Sequence, residues 1–192
     1  MKIGKLFVIS APSGTGKTTL VEALLKRWGK EYNLKKAITY TTRSPREGEV
    51  DGIDYHFVSI EEFNHKVQEG FFMEWSSWYD NYYGSSIDII EELKKGVSYI
   101  LIIDRIGASK IAKEFPHSIL IWIEPLSIDV LEERLRLRGK DSESSILNRL
   151  KKASIEIEEE KKKPMYTYHF INNMFEETLK NIINVFKKHL KP

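Results

Sequence analysis

The fold of this chain is decided near its start, by the stretch Leu6-Phe7-Val8-Ile9-Ser10-Ala11-Pro12-Ser13-Gly14-Thr15-Gly16-Lys17-Thr18-Thr19. The short apolar run over residues 6–10 predicts a buried strand. Apolar residues at helical spacing from Leu20 to Trp28 predict a helix that begins at Lys17. The small residues between these two elements fit the phosphate-binding loop, with Ala11 in the place of its first glycine. The sequence therefore predicts an α/β fold built around an anion-binding loop.

The loop has the chemistry that a nucleoside triphosphate requires. Backbone N–H groups of small residues turn inward around phosphate oxygens, and the following helix points its positive end at the same anion. Lys17 supplies a cation for the β- and γ-phosphates, and the Thr18 hydroxyl is a candidate Mg²⁺ ligand. A glycine-rich connector without function is the alternative, which the flanking strand and helix disfavour. The predicted nucleotide-binding residues are Ala11, Pro12, Ser13, Gly14, Thr15, Gly16, Lys17, Thr18 and Thr19.

Composition limits the remaining classes of function. The 192 residues carry 30 Lys and Arg against 28 Asp and Glu, a net charge of +2, so no global field indicates nucleic acid or an anionic membrane. The chain has no cysteine, which excludes disulfides and Cys-ligated metals and fits a cytoplasmic protein. No apolar run approaches the roughly 20 residues that span a bilayer. The sequence leaves a monomer and a homodimer open.

Further along the chain, predicted strands alternate with predicted helices, which indicates a parallel sheet flanked by helices. The predicted strands are Val97–Ile103, Ser118–Ile123 and Tyr168–Ile171, and the predicted helices are Ile111–Phe115, Ser127–Arg138, one from about Ser142, and Phe175–Leu190. The charge run at 158–163 predicts a solvated helix end.

Residues 35–95 differ in composition from the rest of the chain, with more Tyr and Thr. A capping box at Ser59 predicts a helix that Gly70 closes. A strand over Phe71–Trp78 and a helix over Asp88–Lys95 follow. We therefore expect a single domain over 1–192, with its core in 1–34 and 96–192 and an insertion at 35–95.

Two carboxylates outside the loop are candidates for ligand contacts. Asp104 ends an apolar strand, at the edge where α/β sheets bind ligands, and this predicts a metal-facing carboxylate; capping of the next turn is the alternative. Glu74 lies among aromatic residues and, if buried, needs hydrogen-bond donors. Guanine offers two adjacent N–H donors and adenine does not. An edge-strand side chain facing water is the alternative for Glu74.

Basic residues gather in two further segments. Arg43 and Arg46 form a stiff cationic hook that suits a phosphate, and simple surface charges are the alternative. Arg138, a hinge at Gly139 and the more distant Arg149 suit closure over a transferring phosphoryl group. A solvated basic helix end is the alternative there. Phenol donors in the insertion are Tyr55, Tyr82 and Tyr83.

Taken in order, these parts resemble the guanylate kinase family from about Lys5 to about Leu190. The motifs that carry the resemblance are S-A-P-S-G-T-G-K-T, T-T-R-S-P-R-E-G-E-V-D-G-I-D-Y-H-F-V, F-M-E-W, N-Y-Y-G-S, R-L-R-L-R-G-K-D-S-E and F-I-N-N. The resemblance implies a P-loop NTPase-type parallel sheet flanked by helices, an inserted GMP-binding subdomain at 35–95, and a mobile lid at about 136–150.

The resemblance also implies a role for each matching position. It places the GMP-phosphate contacts on Arg43, Arg46, Tyr55 and Tyr83, and the guanine readers on Thr39, Glu74 and Ser85. It places Asn172 near the adenine. The implied catalytic residues are Lys17, Arg43, Asp104, Arg138 and Arg149, and the implied metal ligands are Thr18 and Asp104.

The chain departs from the family pattern at the end of its central strand. Guanylate kinases usually read carboxylate-Ile-Asp-x-Gln-Gly there, and this chain reads Ile102-Ile103-Asp104-Arg105-Ile106-Gly107. Ile102 thus stands where the family usually has its first carboxylate, and Ile106 stands where it usually has glutamine. A contact on the phosphate-transfer path is therefore missing or replaced. Two milder departures are Thr39 for the usual serine and Asn173 for the usual aspartate.

The resemblance implies ATP- and Mg²⁺-dependent phosphorylation of GMP, and of dGMP, to the diphosphate in purine nucleotide metabolism. Two other functions stay open at this point. A catalytically weak guanylate-kinase-like module would bind acidic or phosphorylated peptides at the GMP site, against which Lys17 and the lid arginines argue. A kinase of the same fold would act on another small phosphorylated acceptor, against which the guanine readers argue.

Overall fold

A computed structural model describes residues 3–78, 80–139 and 142–190. Lys140 and Asp141, in the predicted lid, lie outside these described residues. The strands are β1 Leu6–Ser10, β2 Leu34–Lys36, β3 Thr39–Thr41, β4 Tyr55–Phe57, β5 Phe72–Trp78, β6 Asn81–Ser86, β7 Ser98–Ile102, β8 Ile119–Pro125 and β9 Tyr168–Asn172. The helices are α1 Lys17–Trp28, α2 Ile60–Gln68, α3 Asp88–Lys94, α4 Arg105–Glu114, α5 Ile128–Arg138, α6 Glu143–Lys162 and α7 Phe175–His189.

The larger sheet is parallel throughout, with the strand order β2-β7-β1-β8-β9. Alternate side chains of β1 point to opposite faces. Phe7 and Ile9 join the apolar residues of α1 and α7, whereas Leu6 and Val8 join those of α3 and α4. Helices therefore cover both faces of the sheet, as the apolar strand runs predict. The predicted α/β class, a parallel sheet flanked by helices, is confirmed.

The second sheet has the order β4-β3-β6-β5 and contains both parallel and antiparallel pairs. Its packing partner is α2, whose Phe63 is fully buried and stacks on Phe72 and Tyr82 with ring centroids 4.6 and 5.4 Å apart. Tyr82, which we expected among the phenol donors, thus lies on the apolar packing face instead. Tyr83, next in the strand, points to the opposite face.

Local signals place most helix ends correctly. α1 has the predicted bounds. The Ser59 hydroxyl accepts a hydrogen bond from the Glu62 N–H at 3.0 Å, as a capping box requires. Ser127 and Ser142 cap α5 and α6 in the same way. Among the described residues, no helix is long and apolar enough to cross a membrane.

The predicted start of α4 at Ile111 is wrong, because the helix begins at Arg105. The carboxylate of Asp104 accepts a hydrogen bond from the Gly107 N–H at 2.8 Å and so caps an earlier turn. That first turn has no apolar face that a periodicity argument would detect, since Ile106 is 53% exposed.

The prediction of a solvated helix end at 158–163 is wrong at Glu160, which is 3% exposed. One Glu160 oxygen accepts the Met165 N–H at 2.9 Å and contacts His169 at 2.9 Å, and the other lies 3.2 Å from the Arg105 guanidinium. A buried carboxylate is stable only with such partners. Glu160 therefore fastens the end of α6 to the start of α4.

Candidate active site

The phosphate loop joins β1 to α1 and keeps its shape through its own hydrogen bonds. Gly14 and Gly16 have φ angles of 92° and 91°, which a side chain would strain. The Thr15 hydroxyl donates to the Pro12 carbonyl at 2.7 Å. The Lys17 ammonium donates to the Ala11 carbonyl at 2.7 Å, so it lies along the loop beside the backbone that would surround a phosphate.

Two distant residues predicted for the site reach the loop. The Arg149 guanidinium donates to the Ser13 hydroxyl at 3.2 Å. The Asn172 side-chain amide, at the end of β9, donates to the Thr15 carbonyl at 2.7 Å. Thr18 and Thr19 are exposed in the first turn of α1. The structure thus brings Arg149 and Asn172 to the predicted triphosphate loop.

Lys17 lies in a region of mixed charge. Burial lowers the pKa of its ammonium group, and the negative charges of Glu156 and Asp104 oppose this shift. Burial also raises the pKa of Glu156 to about 7, against the opposing pull of Lys17. The charge of a buried carboxyl on α6 therefore acts on the loop lysine.

Glu156 is not among the site residues predicted from the sequence. Its signal was present, since Glu156 continues the buried face of α6 that includes Ile146, Leu150 and Ala153. An acidic residue at a core position needs a charged or polar partner, and here Lys17 supplies the opposite charge.

Asp104 connects the two sheets. One of its oxygens accepts the Gly107 N–H, as the turn-capping alternative predicts, and the other accepts the Ser76 hydroxyl of β5. The carboxylate expected to face a metal thus also joins the second sheet to α4. The two departures from the family pattern place no polar group here, since Ile102 packs on the apolar core and Ile106 faces outward.

The arginines predicted to bind phosphate lie close together. Both terminal oxygens of Glu49 lie 2.9 Å from the Arg43 guanidinium, which also stacks 5.3 Å above the Tyr55 ring. Partial burial lowers the pKa of Arg46, and the positive charges of Arg43, Arg149 and Arg138 add to that effect. Arg46, in the loop that follows β3, is thus within reach of the positive charges of Arg138 at the end of α5 and Arg149 in α6.

Glu49 was missed by the sequence analysis, although it belongs to the motif that carries Arg43. Its carboxylate holds Arg43 and also accepts the Arg46 N–H at 2.7 Å. An acidic residue three positions after Arg46, in the same motif, is the signal that would have identified Glu49 as a partner of the two arginines. Glu49 keeps the arginine fork ordered where an anion would bind.

The predicted base-reading residues share one row across the second sheet. Thr39 pairs with Tyr55 across β3 and β4, and Glu74 pairs with Ser85 across β5 and β6. The ring centroids of Tyr55 and Tyr83 lie 6.2 Å apart in the same region. Strand register therefore collects side chains that lie up to 46 positions apart in the chain, from 39 to 85.

Glu74 is the buried carboxyl of this row, with 4% exposure, which rules out the alternative of a side chain facing water. The Ser85 hydroxyl donates to its Oε1 at 2.7 Å. Burial raises the pKa of Glu74 to about 7; the Ser85 hydrogen bond opposes the shift and the charge of Asp104 adds to it. Glu74 is therefore poised to accept further donors.

The fold and this site define a nucleotide-binding protein of the P-loop class. A buried parallel strand leads into a glycine-rich loop that ends in a lysine. Arginine side chains lie close to this loop. A crystal structure of a gluconokinase from Sinorhizobium meliloti shares this fold, with a TM-score of 0.52 at 18% identity over 99% of this chain and 95% of that one.

Within that class, the chain belongs to the guanylate kinase family, whose family model matches residues 3–189. It is 42% identical to a guanylate kinase of Haemophilus influenzae over 96% of this chain and 88% of the relative. It is 38% identical to a guanylate kinase of Idiomarina loihiensis over 95% of this chain and 86% of the relative. A crystal structure of a guanylate kinase from Anaplasma phagocytophilum superimposes with a TM-score of 0.78 at 32% identity, covering 100% of this chain and 88% of that one.

Proposed function

We propose that this protein transfers the γ-phosphoryl group of ATP to GMP, and to dGMP, which has the same base and phosphate. The observation that carries the proposal is the buried Glu74–Ser85 pair, which lies in the second sheet and is connected through Ser76 and Asp104 to the phosphate-loop core. A buried carboxylate that accepts paired N–H donors suits guanine. The membership of the family supports the same reaction.

On the ATP side, the loop N–H groups and Lys17 bind the β- and γ-phosphates. Thr18 and Asp104 are the residues that would hold Mg²⁺, which prefers oxygen ligands and commonly keeps several waters beside phosphate oxygens. When bound, the ion neutralises charge on the phosphates.

On the acceptor side, the GMP phosphate takes the place that Glu49 holds on Arg43, and Arg46, Tyr55 and Tyr83 complete its binding. Thr39, Glu74 and Ser85 read the base. Guanine donates from N1–H and its exocyclic amine to the Glu74 carboxylate. Adenine lacks that pair, so AMP leaves a buried acceptor without donors, which costs binding.

The transfer itself needs positioning and charge neutralisation rather than a covalent intermediate. An oxygen of the GMP phosphate attacks the γ-phosphorus in line, and the bond to the bridging oxygen of the departing ADP breaks. Lys17, Arg43, Arg138 and Arg149 neutralise the equatorial oxygens. Closure of the 35–95 insertion and of the lid at about 136–150 over the 1–34 and 96–192 core excludes water. A cytoplasmic location and a homodimer stay predictions.

A coupled assay of ADP formation with ATP and GMP, dGMP, AMP, CMP or UMP tests the proposal. We expect turnover with the two guanine nucleotides and at most weak turnover with the others. Calorimetry that finds no binding of ATP or GMP, alone or together with Mg²⁺, would contradict it. Binding of GMP without binding of ATP would instead favour the peptide-binding module, and a preference for another acceptor would favour a different kinase.

A further inference from the structure

We propose that Gly107 is a specificity-determining residue for the acceptor base. Because it has no side chain, it leaves the space that the Glu74 carboxylate occupies. The inference rests on the proposed role of Glu74 as a guanine reader. Gly107 does not belong to the second sheet and lies in the first turn of α4, across the junction between the two sheets.

The geometry of the junction leaves no room for a β-carbon. A Cβ built on Gly107 would lie 2.5 Å from Oε2 of Glu74 and 3.3 Å from its Cδ. A carbon and an oxygen that are not bonded do not approach to 2.5 Å, so any other residue at position 107 forces a displacement. The turn is fixed in place, since the Gly107 N–H donates to Asp104 at 2.8 Å.

The two residues that follow Glu74 in β5 are hydrogen-bonded to α4 and its cap, so the strand cannot easily move away from position 107. The Lys110 ammonium donates to the Trp75 carbonyl at 2.5 Å, and the Ser76 hydroxyl donates to Asp104. The displacement therefore falls on the end of the Glu74 side chain. Because Ser85 holds Oε1, the rigid carboxylate group turns about that atom and carries Oε2 away from position 107.

Turning this carboxylate affects the recognition of guanine more than it affects the stability of the fold. The two guanine N–H groups require both oxygens to lie near the plane of the base, and a hydrogen bond to a charged group contributes strongly to binding. Alanine in a helix is favoured over glycine, which offsets the small cost of the shift. The fold thus tolerates a methyl group at position 107, whereas base selection does not.

The test replaces Gly107 by Ala and by Ser and measures KM for GMP, KM for ATP, turnover with AMP and the melting temperature. We expect KM for GMP to rise about tenfold or more, with the larger residue giving the larger effect. We expect KM for ATP and the melting temperature to stay unchanged, and the preference for GMP over AMP to fall. Ser109→Ala, an exposed position on the same helix, is the matched control. An unchanged KM for GMP and an unchanged preference in both variants overturn the inference.

A double-mutant cycle tests whether position 107 affects GMP binding through the Glu74 side chain. Glu74→Asp shortens the side chain and withdraws the carboxylate from position 107, so its effect on KM for GMP should be smaller in the Gly107→Ala background than alone. Additive effects contradict the inference. Glu74→Gln separates the two proposals: if it leaves the GMP preference intact, the guanine-reading role fails, and if it alters that preference while Gly107→Ala does not, only the inference about Gly107 fails.

Discussion

The two sheets of this protein encode their halves of the site in different ways. The parallel sheet is buried on both faces and presents its loop as nine consecutive residues, 11–19. The second sheet buries one face against Phe63 and collects polar side chains from 39 to 85 on the strength of register alone. The predicted phosphate-binding residues are thus contiguous in the chain, whereas the predicted base-reading residues are brought together by strand pairing. Changes in the loop should stop transfer to every acceptor, and changes in the row should alter which acceptor is used.

Lys17→Ala tests the first half of this comparison and should have the largest effect. Lys17 follows the loop glycines and provides its mobile positive charge. Removing one such group lowers kcat by about 10²–10³-fold. The loss should be the same with GMP and dGMP, as measured by steady-state kinetics of ADP release. Lys26→Ala, exposed on the same helix, is the control. Near-normal turnover of Lys17→Ala would remove the loop from catalysis.

Glu74→Gln tests the second half and should act on selectivity. The amide keeps the size of the side chain but replaces one acceptor with a donor. We expect kcat/KM for GMP to fall roughly 10–100-fold, as the loss of a hydrogen bond to a charged group implies, with little change for AMP. Competition between GMP and AMP in one assay measures the ratio. Glu61→Gln, exposed on α2, is the control, and an unchanged ratio would place base recognition elsewhere.

The pH dependence of GMP use should report the same carboxyl. Burial raises the pKa of Glu74 to about 7, so the group gains a proton as the pH falls through neutrality. The protonated form has lost an acceptor, so KM for GMP should rise below pH 7 and reach its low plateau above pH 8. A change in KM for ATP over the same pH range would report Glu156, whose charge acts on Lys17, and not Glu74. The pKa of Glu156 is also raised to about 7, so the inflection must disappear in Glu74→Gln to be assigned to Glu74.

Ile102→Asp restores the usual family carboxylate and should have the smallest effect. The new side chain would lie at the end of β7, two residues before the Asp104 that caps α4. We expect the Mg²⁺ concentration for half-maximal velocity to fall by less than about fivefold, in keeping with a partly solvated charge interaction of at most about 1 kcal/mol. Ile102→Asn controls for the loss of apolar packing. Equal Mg²⁺ dependence in both variants would mean that Asp104 suffices.

Much of the fold could be predicted from the sequence because its signals are contiguous. The strand, loop and helix over residues 6–28 lie where periodicity and glycines place them, and Ser59, Ser127 and Ser142 mark helix starts. The first turn of α4 escaped prediction because a side-chain cap, and not an apolar face, begins it.

The candidate site could be predicted only in part, for a physical reason that the carboxylates illustrate. Glu74 was predicted as a candidate ligand contact because its aromatic neighbours in the chain indicate that it is buried. Glu160 was not, because its partner is supplied by a distant segment: the Arg105 guanidinium contacts it, and this pairing leaves no local pattern in the chain. Glu156 does continue the buried face of α6, but the sequence does not show that the charge of Lys17 acts on it.

The amide of Asn172 that donates to Thr15 links positions separated by 157 residues. During synthesis, the loop leaves the ribosome before Asn172 does. A growing chain therefore contains the glycine-rich loop before it contains the side chain that stabilises it. A fragment that stops short of residue 172 lacks this hydrogen bond, and its loop should be less rigid for that reason.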